Sequence, residues 1–188
     1  MEKTRPKKTP GHTLVLGGAR SGKSAYALKL AQREIKRDGD EPRALFIATA
    51  TVMDEEMQER VDAHRRERGH MWHSVEEGIS LGQCLSRHAH RFDVAVIDCL
   101  TMWASNMLFR CPEKIEELVE DLENALINCK RPVFLVSGEV GLGIVPENKI
   151  ARRFRDTLGL INQRFARLAT RVIFMAAGIP MVIKGQDS

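Results

Sequence analysis

The sequence has no CxxC pair: Cys84, Cys99, Cys111 and Cys129 stand apart, at no Cys/His spacing that would hold zinc. A reduced, cytoplasmic setting is therefore expected. Long apolar runs are lacking too. The nearest to one, Phe174 to Ile183, is interrupted by Gly178 and Pro180 and reaches about half the length a membrane span needs, so no membrane span is expected. Charge of one sign is also scarce on the fold. The opening MEKTRPKKTPGH carries Lys3, Arg5, Lys7 and Lys8 against Glu2, a net of +3, which leaves +1 of the chain's +4 for everything after it. A nucleic-acid-binding domain keeps its Lys and Arg on the fold itself, so nucleic acid is not an expected partner. Residues 1–12 lack the apolar run of a secretory signal and read as a basic, disordered leader. There is no internal repeat, and no linker divides residues 13–188.

A chain of 188 residues is long enough to bury one sizeable α/β core. Short apolar runs alternate with longer helical patterns, as in βα units on a mostly parallel sheet. Strands are expected at Thr13 to Leu16, Ala44 to Ala48, Val94 to Asp98, Val133 to Ser137 and Val172 to Met175, with a short last one from Met181 to Lys184. The runs LFIA, VAVI and VFLV are continuous enough to be buried on both faces. From Glu113, after Pro112, the residues Ile115, Leu118, Val119, Leu122 and Leu126 form one helical stripe. Ile150, Phe154, Leu158, Ile161, Phe165 and Leu168 form another. Gly159 lies within that second stripe and makes room for a kink or a close packing contact.

The strongest motif is LVLGGARSGKS, which satisfies GxxxxGK[ST] over Gly17, Gly18, Ala19, Arg20, Ser21, Gly22, Lys23 and Ser24. The glycines let the backbone turn tightly so that successive N–H groups face phosphate oxygens, and the helix opening here adds its positive dipole end. Lys23 would bridge the β- and γ-phosphates and the Ser24 hydroxyl would hold Mg²⁺. The bland alternative is a glycine-rich turn with no ligand. An apolar strand before the motif and the helical AYALKLAQREIKR after it favour the phosphate site. The matching acidic residue is Asp98, which closes FDVAVID and is placed to hold Mg²⁺ or its waters. It can also cap the helix that starts near Thr101, and the two roles are compatible. Together these features predict a three-layer α/β fold of the P-loop NTPase type, RecA-like, around a mostly parallel sheet.

The segment MDEEMQERVDAHRRERGHMWHSVE is the least ordinary. It reads as a helix from about Glu55, with Met57, Val61 and His64 on one stripe and Arg60, Arg65, Arg66 and Arg68 around the histidine. Arginines suit a triphosphate, and neighbouring positive charge favours the neutral imidazole that can attack phosphorus. On spacing alone the plainer reading is the better one, His64 as a packed core residue and the arginines as a solvated face.

GGARSGKS, IATA followed by DEEMQERVDAHR, Asp98 with CLTMWASNML, and EVGLGIVPENKIARRFRDTLGLINQR together resemble the bifunctional adenosylcobinamide kinase / adenosylcobinamide-phosphate guanylyltransferase family of cobalamin biosynthesis. The likeness runs from about Thr13 to Lys184. It implies phosphorylation of the aminopropanol hydroxyl of adenosylcobinamide from ATP or GTP. Transfer of GMP from GTP then gives adenosylcobinamide-GDP and pyrophosphate, through a covalent intermediate on the histidine that corresponds to His64. The resemblance also implies nucleotide contacts at Gly17 to Ser24, at Ala48, Thr49 and Ala50, at Arg65, Arg66, Glu67 and Arg68, and at Glu76 and Asp98. A homotrimer is implied as well. Asp98 stands where some relatives have Glu, and the family's lysine-aspartate-glycine-arginine run is here Arg65, Arg66, Glu67, Arg68. The loop Gly138 to Asn148 reads either as a corrinoid contact or as a packing loop against a neighbouring subunit. A small-molecule P-loop kinase without guanylyl transfer is the alternative activity, and it would use Lys23, Ser24 and Asp98 but not His64.

Overall fold

Runs of consecutive apolar residues have no polar face to turn to water, and here they become interior strands of one sheet. In the computed structural model, which describes residues 11–36, 43–50 and 69–186, these are β1 (Thr13–Gly17), β2 (Ala44–Ala48), β4 (Val94–Asp98), β5 (Val133–Val136) and β6 (Arg171–Ala176). Two more strands border them. β3 (Trp72–Glu76) pairs with β2, and β7 (Ile179–Lys184) pairs with β6. The seven-stranded order is β3-β2-β4-β5-β1-β6-β7, parallel throughout except for the antiparallel β6–β7 pair.

The helices are α1 (Lys23–Gln32), α2 (Leu81–His88), α3 (Leu100–Arg110), α4 (Ile115–Asn128) and α5 (Lys149–Leu168). Because successive strand residues face opposite ways, the sheet feeds two cores. Leu14, Leu45, Ile47, Ile97 and Leu135 pack with Leu85, Trp103, Leu122 and Phe165 from α2 to α5. On the other face, Val15, Phe46, Val96 and Ile173 pack with Ala27, Leu30 and Ala31 of α1. Strands between two helical layers are the three-layer arrangement expected. Fully burying a side chain of Leu or Phe size stabilises by roughly 1.5–3 kcal/mol, so Trp103 and Phe165, both at 0% exposure, anchor the larger core.

Several elements differ from expectation: β1, β5 and β6 run Thr13–Gly17, Val133–Val136 and Arg171–Ala176, each off by one residue at one or both ends. Trp72–Glu76 is a strand although WHSVE has little apolar character, because it is an edge strand with one neighbour. Leu81–His88 is a helix outside the expected elements, with Leu81, Cys84 and Leu85 buried at helical spacing. The last strand begins at Ile179 rather than Met181. At Gly159 helix α5 runs on unbroken, and a Cβ built there would meet nothing within 4 Å, so close packing is not its role. His12 belongs to the packed body: it is buried, its ring bonds Leu126 O at 2.8 Å, and its carbonyl accepts from Thr170 N at 3.0 Å. Residues 1–10 of the expected leader lie outside the described residues, as do His64, Arg65, Arg66, Glu67, Arg68 and the helix expected from Glu55.

Candidate phosphate-binding and catalytic site

In a parallel sheet all the carboxyl ends share one edge, and ligands of open α/β folds bind there. The segment after β1 turns through conformations open mainly to glycine. Gly17 has φ +151° and a Cβ on it would come within 2.5 Å of the Met175 carbonyl oxygen; Gly22 has φ +88° and leads directly into α1. Arg20 also has positive φ, at 53°. The first turn of α1 carries no acidic side chain and has no side-chain cap, so its free amides and dipole end are left to an anion. The loop is braced from both sides. Glu139 N donates to Gly17 O at 3.0 Å and Gly178 N donates to Ser21 O at 3.2 Å.

The Lys23 amine donates to Gly18 O at 2.5 Å, across the mouth of the loop. Burial lowers its pKa, opposed by Cys99 and the Asp98 carboxylate, whose field therefore reaches the cradle. Asp98 ends β4, and it is Cys99, not Asp98, that caps α3, its Sγ accepting from Met102 N at 3.5 Å. The Ser24 hydroxyl and the Asp98 carboxylate are hard oxygen donors of the kind Mg²⁺ takes. Among the described residues no group of three or more His, Cys, Asp and Glu side chains is gathered to hold a metal.

Beyond Asp98 the edge continues through β2 to β3. Ala48 lies opposite Asp98 on one side and Glu76 on the other, so three of the expected contact positions are neighbours across the sheet. Glu76 is exposed. Thr49 is not: it is fully buried, its N–H donates to Asp98 O at 3.0 Å, and its hydroxyl bonds the Cys99 backbone. The chain after β3 is held at its first step by Glu77 N donating to Ala48 O at 2.9 Å, and the Glu77 carboxylate accepts from Ile79 N and Ser80 N.

Helix α3 ties this edge together. Asn106 Nδ2 donates to Thr49 O at 2.9 Å and to Gly78 O at 3.1 Å, and Trp103 Nε1 donates to Ile79 O at 2.7 Å. At its start, Thr101 Oγ1 accepts from Gly138 N at 2.6 Å. The loop after β5 is anchored a second time by Asn162 of α5, whose Oδ1 accepts from Ser137 Oγ at 2.6 Å and whose Nδ2 donates to Gly138 O at 3.0 Å. Sequence reasoning passed over Asn106, Asn162 and Thr101. The available signal was an amide at apolar helical positions, in WASNML and LGLINQ, since a buried amide needs partners. A cavity of about 540 Å³ beside Ser86, His90, Asn128 and Arg131 lies among α2, α4 and the approach to β5, at the amino ends of the strands. It is no part of this site.

Residues 13–183 match the family described as cobinamide kinase / cobinamide phosphate guanyltransferase. The bifunctional adenosylcobalamin biosynthesis protein CobU of Escherichia coli K12 is 36% identical over 185 residues, 91% of this chain and 98% of that protein. The corresponding protein CobP of Pseudomonas aeruginosa PAO1 is 38% identical over 175 residues, 92% and 97%. Among solved structures, a KaiC-like protein of Pyrococcus horikoshii OT3 superposes with a TM-score of 0.54 at 16% identity, covering 95% of this chain and 81% of that one. At that identity the likeness concerns the fold, of the P-loop RecA type.

Proposed function

The chain belongs to the cobinamide kinase / cobinamide phosphate guanyltransferase family, and on that premise we propose that the loop Gly17 to Ser24 grips the nucleoside triphosphate used by both of its reactions. In the kinase step the aminopropanol hydroxyl of adenosylcobinamide attacks the γ-phosphorus of ATP or GTP. A P–O bond to the β-phosphate breaks and the nucleoside diphosphate leaves. In the second step a ring nitrogen of His64 attacks the α-phosphorus of GTP, forming an N–P bond and expelling pyrophosphate. The phosphate oxygen of adenosylcobinamide phosphate then attacks the same phosphorus, and the N–P bond breaks to release adenosylcobinamide-GDP. Arg65, Arg66 and Arg68 supply positive charge to the phosphates, and Ala48, Ala50, Glu76 and Asp98 border the nucleotide. Mg²⁺, held by Ser24 and Asp98, would neutralise charge on the phosphate oxygens.

The observation that carries this reading is the uncapped start of α1, with the Lys23 amine over the loop and the Asp98 carboxylate close enough to act on it. Phosphoryl transfer depends mostly on such positioning and charge stabilisation. The test is incubation with base-labelled GTP and Mg²⁺. The wild-type protein is expected to retain label that is lost in acid and kept in alkali, and His64→Ala to retain none. A His64→Ala protein that still takes up the label would overturn the guanylyl-transfer mechanism and leave the kinase alone.

A homotrimer acting in the cytoplasm completes the proposal. For assembly the support is the edge strand β7, where Ile179, Met181 and Ile183 are 65%, 55% and 63% exposed beside a strand edge that is unpaired among the described residues.

A further inference from the structure

We propose that Asn106 is a positioning residue for the nucleotide, holding the ends of β2 and β3 at the separation that lets both touch the same ligand. The inference rests on the nucleotide reading of Ala48, Ala50 and Glu76 given above. Strand pairing fixes β2 and β3 only as far as Ala48 opposite Glu76, with one further bond from Glu77 N to Ala48 O. Past that point no ladder bond joins the two segments among the described residues, and side chains of α3 reach across to them. Trp103 reaches only the β3 side, at Ile79 O. Asn106 reaches both, one amide nitrogen donating to Thr49 O and to Gly78 O. It is 8% exposed and rises from a helix whose neighbouring residues Trp103 and Met107 are at 0%, so it has little freedom to move.

This edge is separate from the phosphate cradle. β2 and β3 stand three and four strand positions from β1 in the sheet order, which at ~4.8 Å per strand is roughly 14 and 19 Å. A bare polyphosphate in the loop does not extend that far, whereas a nucleotide has further atoms to place. Loss of the Asn106 bridge should therefore weaken nucleotide binding without touching polyphosphate binding. A residue that served folding alone would lower stability and leave both affinities as they were.

The experiment compares wild type with Asn106→Leu, which keeps the branched shape without the donor. Asn106→Ser, small enough for any packing but too short to bridge, stands in should the leucine variant not fold. Binding of GTP and of inorganic tripolyphosphate, each with Mg²⁺, is measured by calorimetry, and KM and kcat for GTP in guanylyl transfer alongside. The expected result is GTP affinity weaker and KM higher by about tenfold, the scale of one or two lost positioning hydrogen bonds. Tripolyphosphate affinity should stay within about twofold and kcat within about threefold. Unchanged GTP affinity in a less stable protein overturns the proposal, as does an equal loss for both ligands. Glu76→Ala separates this failure from that of the underlying reading: if it leaves GTP affinity intact, the edge does not hold nucleotide at all.

Discussion

The hydroxyl of Thr49 is hydrogen-bonded twice to the backbone of Cys99, donating to its carbonyl at 2.7 Å and accepting from its amide at 2.6 Å. Thr49 is fully buried, and its own N–H and carbonyl also have partners, in Asp98 O and Asn106 Nδ2. Its side chain therefore joins the end of β2 to the end of β4 one residue beyond Asp98.

Thr49→Val keeps the shape and removes the hydroxyl, leaving the Cys99 amide and carbonyl without that partner. Stability should fall by about 1–3 kcal/mol, the cost of stranding buried backbone groups, and the KM for Mg-nucleotide should rise as Asp98 loses its support. Urea denaturation and steady-state kinetics measure both. A variant as stable as wild type would show that the latch contributes nothing.

The contrast between Asp98 and Thr49 marks how far the sequence could be read. Asp98 was legible because a strand of apolar residues ends on it and the phosphate loop calls for an acid there. Gly17 and Gly22 were legible because a tight turn before the helix calls for glycine, and both do have positive φ. The strand Trp72–Glu76 was not, since an edge strand needs only part of an apolar pattern and WHSVE supplies only Trp72 and Val75. The ties made by Thr101, Asn106 and Asn162 span 24 to 57 residues of chain. Such pairings are set by tertiary packing and leave no local periodicity.

Lys23→Ala removes the ammonium that reaches across the loop, while the fold loses a bond to Gly18 O within the same loop. Both activities should drop by at least about 100-fold, because charge placement supplies most of phosphoryl-transfer catalysis. The thermal melt should stay close to wild type. An unchanged kinase rate would contradict the placement of the triphosphate.

Gly159→Ala should stabilise the protein. The position lies in the interior of α5, its φ is not in the left-handed region, and a Cβ there meets no atom within 4 Å. Glycine in such a place is about 0.5–1 kcal/mol worse than alanine, so the urea midpoint should rise with an unchanged slope. A lower midpoint would mean that α5 needs the glycine for a contact outside the described residues.

His12 should make the fold acid-sensitive. Its Nε2 bonds Leu126 O while Nδ1 is buried with no partner among the described residues, and burial lowers its pKa from 6.5, opposed by the Leu126 bond. The unfolded chain then takes up the proton more readily than the folded one. The associated stability is intact above 6.5 and is lost as pH falls from there toward the folded value. His12→Gln can still donate to Leu126 O but cannot titrate. Urea denaturation from about pH 8 to about pH 5 should show a loss in wild type that is smaller in this variant. Equal losses would move the acid sensitivity elsewhere.

The loop after β5 is fixed at its root and apolar at its tip, a combination that argues for a ligand. Thr101 and Asn162 both bond Gly138, yet Leu142 and Ile144 further on are 81% and 97% exposed. Apolar side chains held out from an anchored loop at the carboxyl edge of the sheet suit contact with an apolar surface, that of a substrate or of a second copy of the chain. Leu142→Asp and Ile144→Asp should therefore raise the KM for the corrinoid several-fold, on the scale of one to two kcal/mol for each buried side chain lost. The KM for the nucleotide and the molecular mass in solution should not change. A fall in mass with the corrinoid KM unaffected would assign the tip to the contact between subunits instead, since the loss of apolar burial would then be felt by assembly and not by the substrate.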